Sequence, residues 1–342
     1  MKNLRKAVNG LMPTLLMVLV QIAYAAVNFM YNIVIDDGMS MRVATAYRLS
    51  FGAAFTVPLA LILERKDRPK MTWRVFFMAN LCGLFGGSLY QNLYYVALAL
   101  TTPTFVTAIY NLVPAITFTM AIACGYEKLN LGSAAGKAKV VGTLAGIGGA
   151  MLLTFFRGLK IDIPSFQVNI LRSHHLQNIN SRTSLLGILL SIGSCFSCAS
   201  WLIIQAKMSK EYPLHHSCAA LMSFTGAIQA TIFALIVDRD MIQWKLGWNI
   251  RLLTVAYSGI VASGICVIVI AWCMQKRGPL FTAVFNPLLL VLVAIASCLL
   301  LKEQFYLGSV LGAVLIVIGL YMVLWGKSKE TEKTTGLGTT SL

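Results

Sequence analysis

The sequence predicts an all-α polytopic membrane protein, with ten transmembrane helices arranged as two inverted five-helix repeats. Three observations predict it. The 342 residues are 58% hydrophobic and only 12% charged, with a mean hydropathy of +0.75, too apolar for a soluble globule. Apolar runs long enough to cross a hydrocarbon core of roughly 30 Å recur along nearly the whole chain. And the chain repeats itself: Thr107-Ala108-Ile109-Tyr110-Asn111 returns as Thr282-Ala283-Val284-Phe285-Asn286, and Glu127-x-x-x-Leu131-Gly132 as Glu303-x-x-x-Leu307-Gly308.

The expected spans are residues 11–31, 42–63, 74–98, 102–125, 139–157, 184–207, 215–237, 250–274, 280–300 and 306–325. Lys2, Arg5 and Lys6 precede the first run as they would in a signal peptide, but no small-x-small cleavage site follows, so it reads as a retained helix. The chain divides into a cytoplasmic N-terminus 1–10, a first repeat 11–157, a non-cytoplasmic linker loop 158–183, a second repeat 184–326 and a cytoplasmic tail 327–342. Loop Lys and Arg favour the side of the N-terminus by about two to one, placing both termini in the cytoplasm. The net charge of +16 then fits loops facing anionic lipid, not nucleic acid. An odd number of helices per repeat inverts the second half relative to the first, the plan of secondary transporters with a solute site near the midplane. Gly83–Pro103 lies over Gly259–Pro279 without a gap, and Gly142–Met151 over Gly312–Tyr321.

All twelve carboxylates fall at span ends or in loops, and His174, His175, His215 and His216 lie in or beside loops. Proton coupling through a buried acid is therefore not expected, and passive facilitation is the default. Neutral polar residues are plentiful instead. Gln21, Tyr24, Asn28 and Asn32 recur at helical spacing in the first span, as do Ser194, Ser197, Trp201 and Gln205 in the sixth. Ser88, Gln91, Asn92 and Tyr95 cluster in the third, Thr107 and Asn111 in the fourth, Thr282 and Asn286 in the ninth. Such amides can bind the ammonium and carboxylate of a zwitterion without the desolvation cost of fixed charge. Any one of them could equally be interhelical glue; on two inverted halves the ensemble reads as a polar cavity. Asn28, Gln91, Asn111 and Asn286 are the expected hydrogen-bonding contacts, with Tyr95 and Trp201 as walls.

Pro114 and Pro287 should kink spans four and nine, as hinges or as plain structural bends. Arg48, the one basic residue placed well inside a span, could meet a solute carboxylate; pairing with Asp36 or Asp37 is the expectation. Cys195 and Cys198 form a C-x-x-C without a second pair and read as packing residues, not metal ligands. No Walker-type loop, nucleophile elbow or metal motif occurs, so neither an enzyme nor a cofactor is expected.

A family resemblance rests on Leu63-Glu64-Arg65-Lys66 with Arg68-Pro69-Lys70-Met71-Thr72, Gln91-Asn92-Leu93-Tyr94-Tyr95, and Asn111-Leu112-Val113-Pro114-Ala115. Ala138-Lys139-Val140-Val141-Gly142-Thr143, Phe285-Asn286-Pro287 and Tyr306-Leu307-Gly308-Ser309 extend it, ending at Leu324-Trp325-Gly326-Lys327. The chain resembles the plant Walls-Are-Thin-related (nodulin-21-like, EamA-like) transporters of the drug/metabolite transporter superfamily over about residues 11–330. The resemblance implies two EamA-type repeats and a cavity lined by spans 1, 3, 4, 6, 8 and 9. It also implies transport of amino acids, and in some members auxin, across the plasma or vacuolar membrane, the plasma membrane being favoured. Gly125-Tyr126 departs from the family pattern, where a basic residue is common. The expected function is facilitated transport or export, by alternating access, of amino acids or related small organic metabolites. The alternatives are a phosphorylated-metabolite or nucleotide-sugar exchanger, which would need inward Lys or Arg pairs, and a non-transporting scaffold or receptor.

Overall fold

A computed structural model describes residues 2–65, 71–101, 103–127, 132–156, 160–161, 181–238, 240–301 and 305–339. Most of the 158–183 linker, His174 and His175 within it, residues 66–70 and 128–131, and Glu303 of the second Glu-x-x-x-Leu-Gly lie outside the described residues. The elements are α1 (Lys2–Asp36), α2 (Met41–Leu63), α3 (Trp73–Cys82), α4 (Tyr90–Leu100), α5 (Pro103–Tyr110), α6 (Val113–Ala123) and α7 (Ala134–Phe155). They continue as α8 (Ser181–Glu211), α9 (His215–Val237), α10 (Ile250–Tyr257), α11 (Cys266–Arg277), α12 (Pro279–Ala283), α13 (Asn286–Leu301) and α14 (Leu307–Thr339). A two-residue antiparallel pairing joins β1 (Lys160–Ile161) to β2 (Phe305–Tyr306).

Among the described residues, nine helical stretches are long and apolar enough to cross a membrane. The expected third span is not one of them. It is helical from Trp73 to Leu100, but Asn80, Ser88, Gln91 and Asn92 dilute its hydropathy. Its centre, Gly83–Leu89, is a π-helical segment between α3 and α4, and a second, Ser258–Ile265, joins α10 to α11. Both π segments fall where Gly83–Pro103 overlies Gly259–Pro279 in the sequence. The polar tail expected over 327–342 is helical as far as Thr339, a continuation of α14.

Spans four and nine are broken, not kinked. Pro114 stands in the first turn of α6, after the turn Asn111-Leu112, and Pro287 is the second residue of α13, after the turn Val284-Phe285. Leu112 N–H turns back to Ile109 O at 2.9 Å, and Phe285 N–H to Thr282 O at 3.3 Å, each one residue short of an α-helical bond. A proline has no N–H to continue the ladder, and its fixed φ suits a first turn, so each proline starts a new helix.

Close backbone contacts hold the bundle together. A Cβ on Gly142 would lie 2.6 Å from Gly319 O, and one on Gly149 would lie 2.8 Å from Gly312 O, so α7 and α14 touch backbone to backbone and run antiparallel. Gly83 meets Gly226 N at 2.6 Å in the same sense, and Gly52 meets Gly259 O at 3.1 Å. α2 packs along α9, and each closes the other's N-terminus. Glu64, at the end of α2, accepts from the N–H groups of His216 (3.0 Å) and Ser217 (2.7 Å). Asp238, at the end of α9, accepts from Ser40 Oγ (2.6 Å) and Arg42 Nη1 (3.0 Å). Glu64 thereby satisfies orphan backbone donors and the dipole of α9 together, whereas Asp238 holds side chains of the first turn of α2.

Beyond the end of α6 sits an ionic cluster that sequence reasoning missed. Lys139, fully buried, meets Glu127 at 3.2 Å and Glu330 at 2.6 Å. Lys327 pairs with the second oxygen of Glu127 and donates to Arg277 O at 2.7 Å. Glu127 reads from sequence as an ordinary residue at a span end; here it ties the end of α6 to α7, α11 and α14.

Candidate functional site

Tyr24 of α1, Tyr90 of α4, Tyr110 of α5 and Trp201 of α8 belong to one packed cluster that also draws on α3, α9, α11 and α12. Tyr90 and Tyr110 stack with ring centroids 6.1 Å apart, and Tyr94 meets Tyr110 edge-on at 5.8 Å. Tyr94 shares a hydrogen bond with Thr107, and the Tyr110 hydroxyl lies 3.6 Å from the Cys198 thiol. Tyr31 shares a bond of 3.3 Å with Ser258 at the start of the second π segment. Tyr31, Tyr90, Tyr94 and Tyr110 were not read from the sequence as site residues. Their signal was the one-turn spacing of Tyr90 and Tyr94 opposite an aromatic at position 110.

Four amides on the same helices, α1, α4 and α8, are buried. Gln21, Gln91 and Asn92 are buried, each with its side-chain oxygen lacking a hydrogen-bond partner among the described residues. Gln205 is wholly buried, with neither its nitrogen nor its oxygen partnered. The Asn92 nitrogen donates to Ser88 O at 2.7 Å. A buried amide oxygen without a donor costs about 1–3 kcal/mol, so these groups are arranged for something other than each other.

Other expectations need correction. Asn28 is exposed, not turned into the cluster, and the side chain of Asn32 lies outside the described residues. Asn111 is buried, but its nitrogen donates at 2.8 Å to Thr107 O in the preceding helix; Thr282 likewise spends its hydroxyl on Pro279 O at 2.8 Å. The repeat equates Asn111 with Asn286. The helix breaks follow the prolines instead, leaving Asn111 in a turn and half-buried Asn286 as the first residue of α13. Pro114 and Pro287 meet across a small apolar gap with Thr143, Gly146, Val284 and Leu320, away from the amides. The Trp201 indole lies on Gly86 of the first π segment, and its Nε1 donates to Met222 Sδ at 3.1 Å.

Arg48 does not reach Asp37, which pairs with Arg251 instead, and the side chain of Asp36 lies outside the described residues. Its Nε donates to Ser263 Oγ at 2.9 Å, in the second π segment, and its leading electrostatic neighbours are the phenols of Tyr31, Tyr95, Tyr24 and Tyr90. Cys195 and Cys198 are buried, and the Cys195 thiol donates to Ile109 O at 3.3 Å.

The structure is an all-helical bundle with membrane-length helices and buried polar side chains, and comparison with known proteins gives its class. The chain belongs to the EamA-like transporter family, whose family model matches residues 11–155 and 185–325. Its relatives include WAT1-related proteins of Arabidopsis thaliana. One is 42% identical over 321 residues, with 93% of this chain and 90% of the relative covered; another is 43% identical over 319 residues, with 92% and 90% covered. A solved crystal structure superposes with a TM-score of 0.68 at 17% identity over 91% of this chain and 96% of that one, a likeness of fold alone.

Proposed function

We propose that this membrane transporter is a facilitator or exchanger of amino acids or related small organic acids, working by alternating access. Its two inverted halves contribute ten spans, with both termini in the cytoplasm and the plasma membrane as its site. The observation that carries this reading is the tyrosine chamber with the unpartnered buried amides on its helices. Such groups suit a polar solute that arrives, exchanges its hydration for these contacts, and leaves.

The packing supports inversion. Exchanging each span with the one five further on turns Gly142 against Gly319 into Gly312 against Gly149. It turns Gly83 against Gly226 into Gly259 against Gly52, and the Glu64 closure of α9 into the Asp238 closure of α2. These matched antiparallel contacts are what a two-fold axis in the membrane plane generates.

Efflux of radiolabelled amino acids and organic acids from oocytes tests the reading. Gln91→Ala and Gln205→Ala should each reduce efflux several-fold at unchanged surface level, with Asn111→Ala weaker because its nitrogen is already engaged. Normal efflux in both glutamine variants would remove the chamber from the mechanism. An exchanger of phosphorylated solutes is disfavoured because Arg48 is the one cation described among the tyrosines, and a phosphate calls for several.

A further inference from the structure

We infer that Arg48 is the anion anchor of the chamber, and that the solute it holds is a small organic monoanion bound through a carboxylate. This rests on the reading of the chamber as the solute site and narrows it from amino acids and organic acids to net anions.

Within the described residues, three other basic side chains that turn inward are matched to carboxylates. Lys139 has Glu127 and Glu330, Lys327 has Glu127, and Arg42 has Asp238. Arg48, the eighth residue of α2, has a hydroxyl and no acid. Tyr24, Tyr90 and Tyr95, its phenolic neighbours, have other tyrosines, cysteines and Arg48 itself as their leading electrostatic neighbours, with no carboxylate. A guanidinium held inside a bundle without a counter-ion is costly, and phenol dipoles offset that only in part.

Geometry then says which end is offered. Nε is committed to Ser263, which fixes the plane of the group. Nη1 and Nη2 have no hydrogen-bond partner among the described residues. Two parallel N–H donors at the end of a guanidinium match the two oxygens of a carboxylate. Arg48 is half-buried, the eighth residue of α2. A zwitterion would bring an ammonium into the same space, with no described carboxylate to receive it and Arg48 to repel it. Ser263 is a positioning residue: it belongs to the second half while Arg48 belongs to the first, so the bound anion bears on a contact that spans the two.

Isothermal titration calorimetry on the purified full-length protein in detergent tests this with three solutes that share one isobutyl body: 4-methylpentanoate, its neutral amide 4-methylpentanamide, and leucine. The anion should bind about tenfold to a hundredfold tighter than either of the others, as one charge-assisted pair provides. Arg48→Gln should erase that preference, and a retained cooperative thermal unfolding transition in detergent separates loss of recognition from misfolding. Arg48→Lys should restore part of it, and Ser263→Ala should weaken the anion without changing the order. Equal or tighter binding of the amide or leucine, no binding of the anion, or an anion preference that survives in Arg48→Gln overturns the inference. Tighter leucine binding would do so while leaving the transport reading standing.

Discussion

The indole of Trp201 lies on the bare Cα of Gly86, where an added Cβ would come within 2.5 Å of the Trp201 ring. Gly86 belongs to the first π segment and Trp201 to α8, so the contact joins a widened helical turn to a wall of the chamber. Gly86→Ala should displace the indole, break its bond to Met222 and lower stability by about 1–3 kcal/mol. Solute flux should fall further than stability, and a second change, Trp201→Phe, should restore part of both. Thermal unfolding and flux measured side by side check this; an unperturbed Gly86→Ala would mean that the wall is not where it is drawn.

The α7–α14 seam gives an internally controlled prediction. A Cβ on Gly142 would lie 2.6 Å from Gly319 O, whereas one on Gly146 would meet nothing within 4 Å. Gly142→Ala should lose about 1–3 kcal/mol of stability and cut folded yield, and Gly146→Ala should be neutral or slightly stabilising. Size-exclusion profiles and melting curves of the two variants decide it, equal behaviour being the adverse result.

Glu64 carries a pH dependence of known sign. Burial raises its pKa, but hydrogen bonds from Ser217 and His216 outweigh that and hold the carboxyl below its ordinary value. A depressed folded pKa means the stabilisation is present above the unfolded pKa and is lost as pH falls through the folded one. The wild type should therefore lose stability in acid, below about pH 4.5. Glu64→Gln should be less stable at neutral pH and flatter across that acid window. Melting temperatures from pH 3 to pH 7 would expose a mistake if the two curves ran parallel.

The buried cluster around Lys139 should behave as a unit. Lys139→Met takes one cation away from both Glu127 and Glu330, at a cost of about 3–5 kcal/mol. Adding Glu330→Gln should recover part of that loss, because it removes one of the two carboxylates that the lysine had balanced. A double-mutant cycle measures the coupling, and strict additivity would show that the contacts carry no energy.

The long apolar periods made the helices legible, and the echo around the two prolines made the repeat legible, because both are properties of local spacing. The chamber was only partly so. Gln21, Gln91, Asn92 and Gln205 announced themselves as amides in apolar runs, whereas Tyr31, Tyr90, Tyr94 and Tyr110 passed as hydrophobic bulk until their hydroxyls were seen to converge. Asn28 misled because a helical stripe says which residues share a face, not where along the helix that face stays covered. Lys139 was invisible for a related reason: near a span end its sequence context is that of a solvated residue, and only the return of α14 seals it in. Arg48 was placed correctly within α2 but given the wrong partner, since its true contact is 215 positions away, in a π segment that composition does not foretell.

Helix α14 runs without interruption for 33 residues, a rod of about 50 Å against a hydrocarbon layer of about 30 Å. Some 20 Å therefore stands clear of the lipid as a stiff stalk rooted in the glycine seam with α7. Whatever grips its far end, whether a fused reporter or a partner protein, holds a lever whose fulcrum is Gly142 and Gly319.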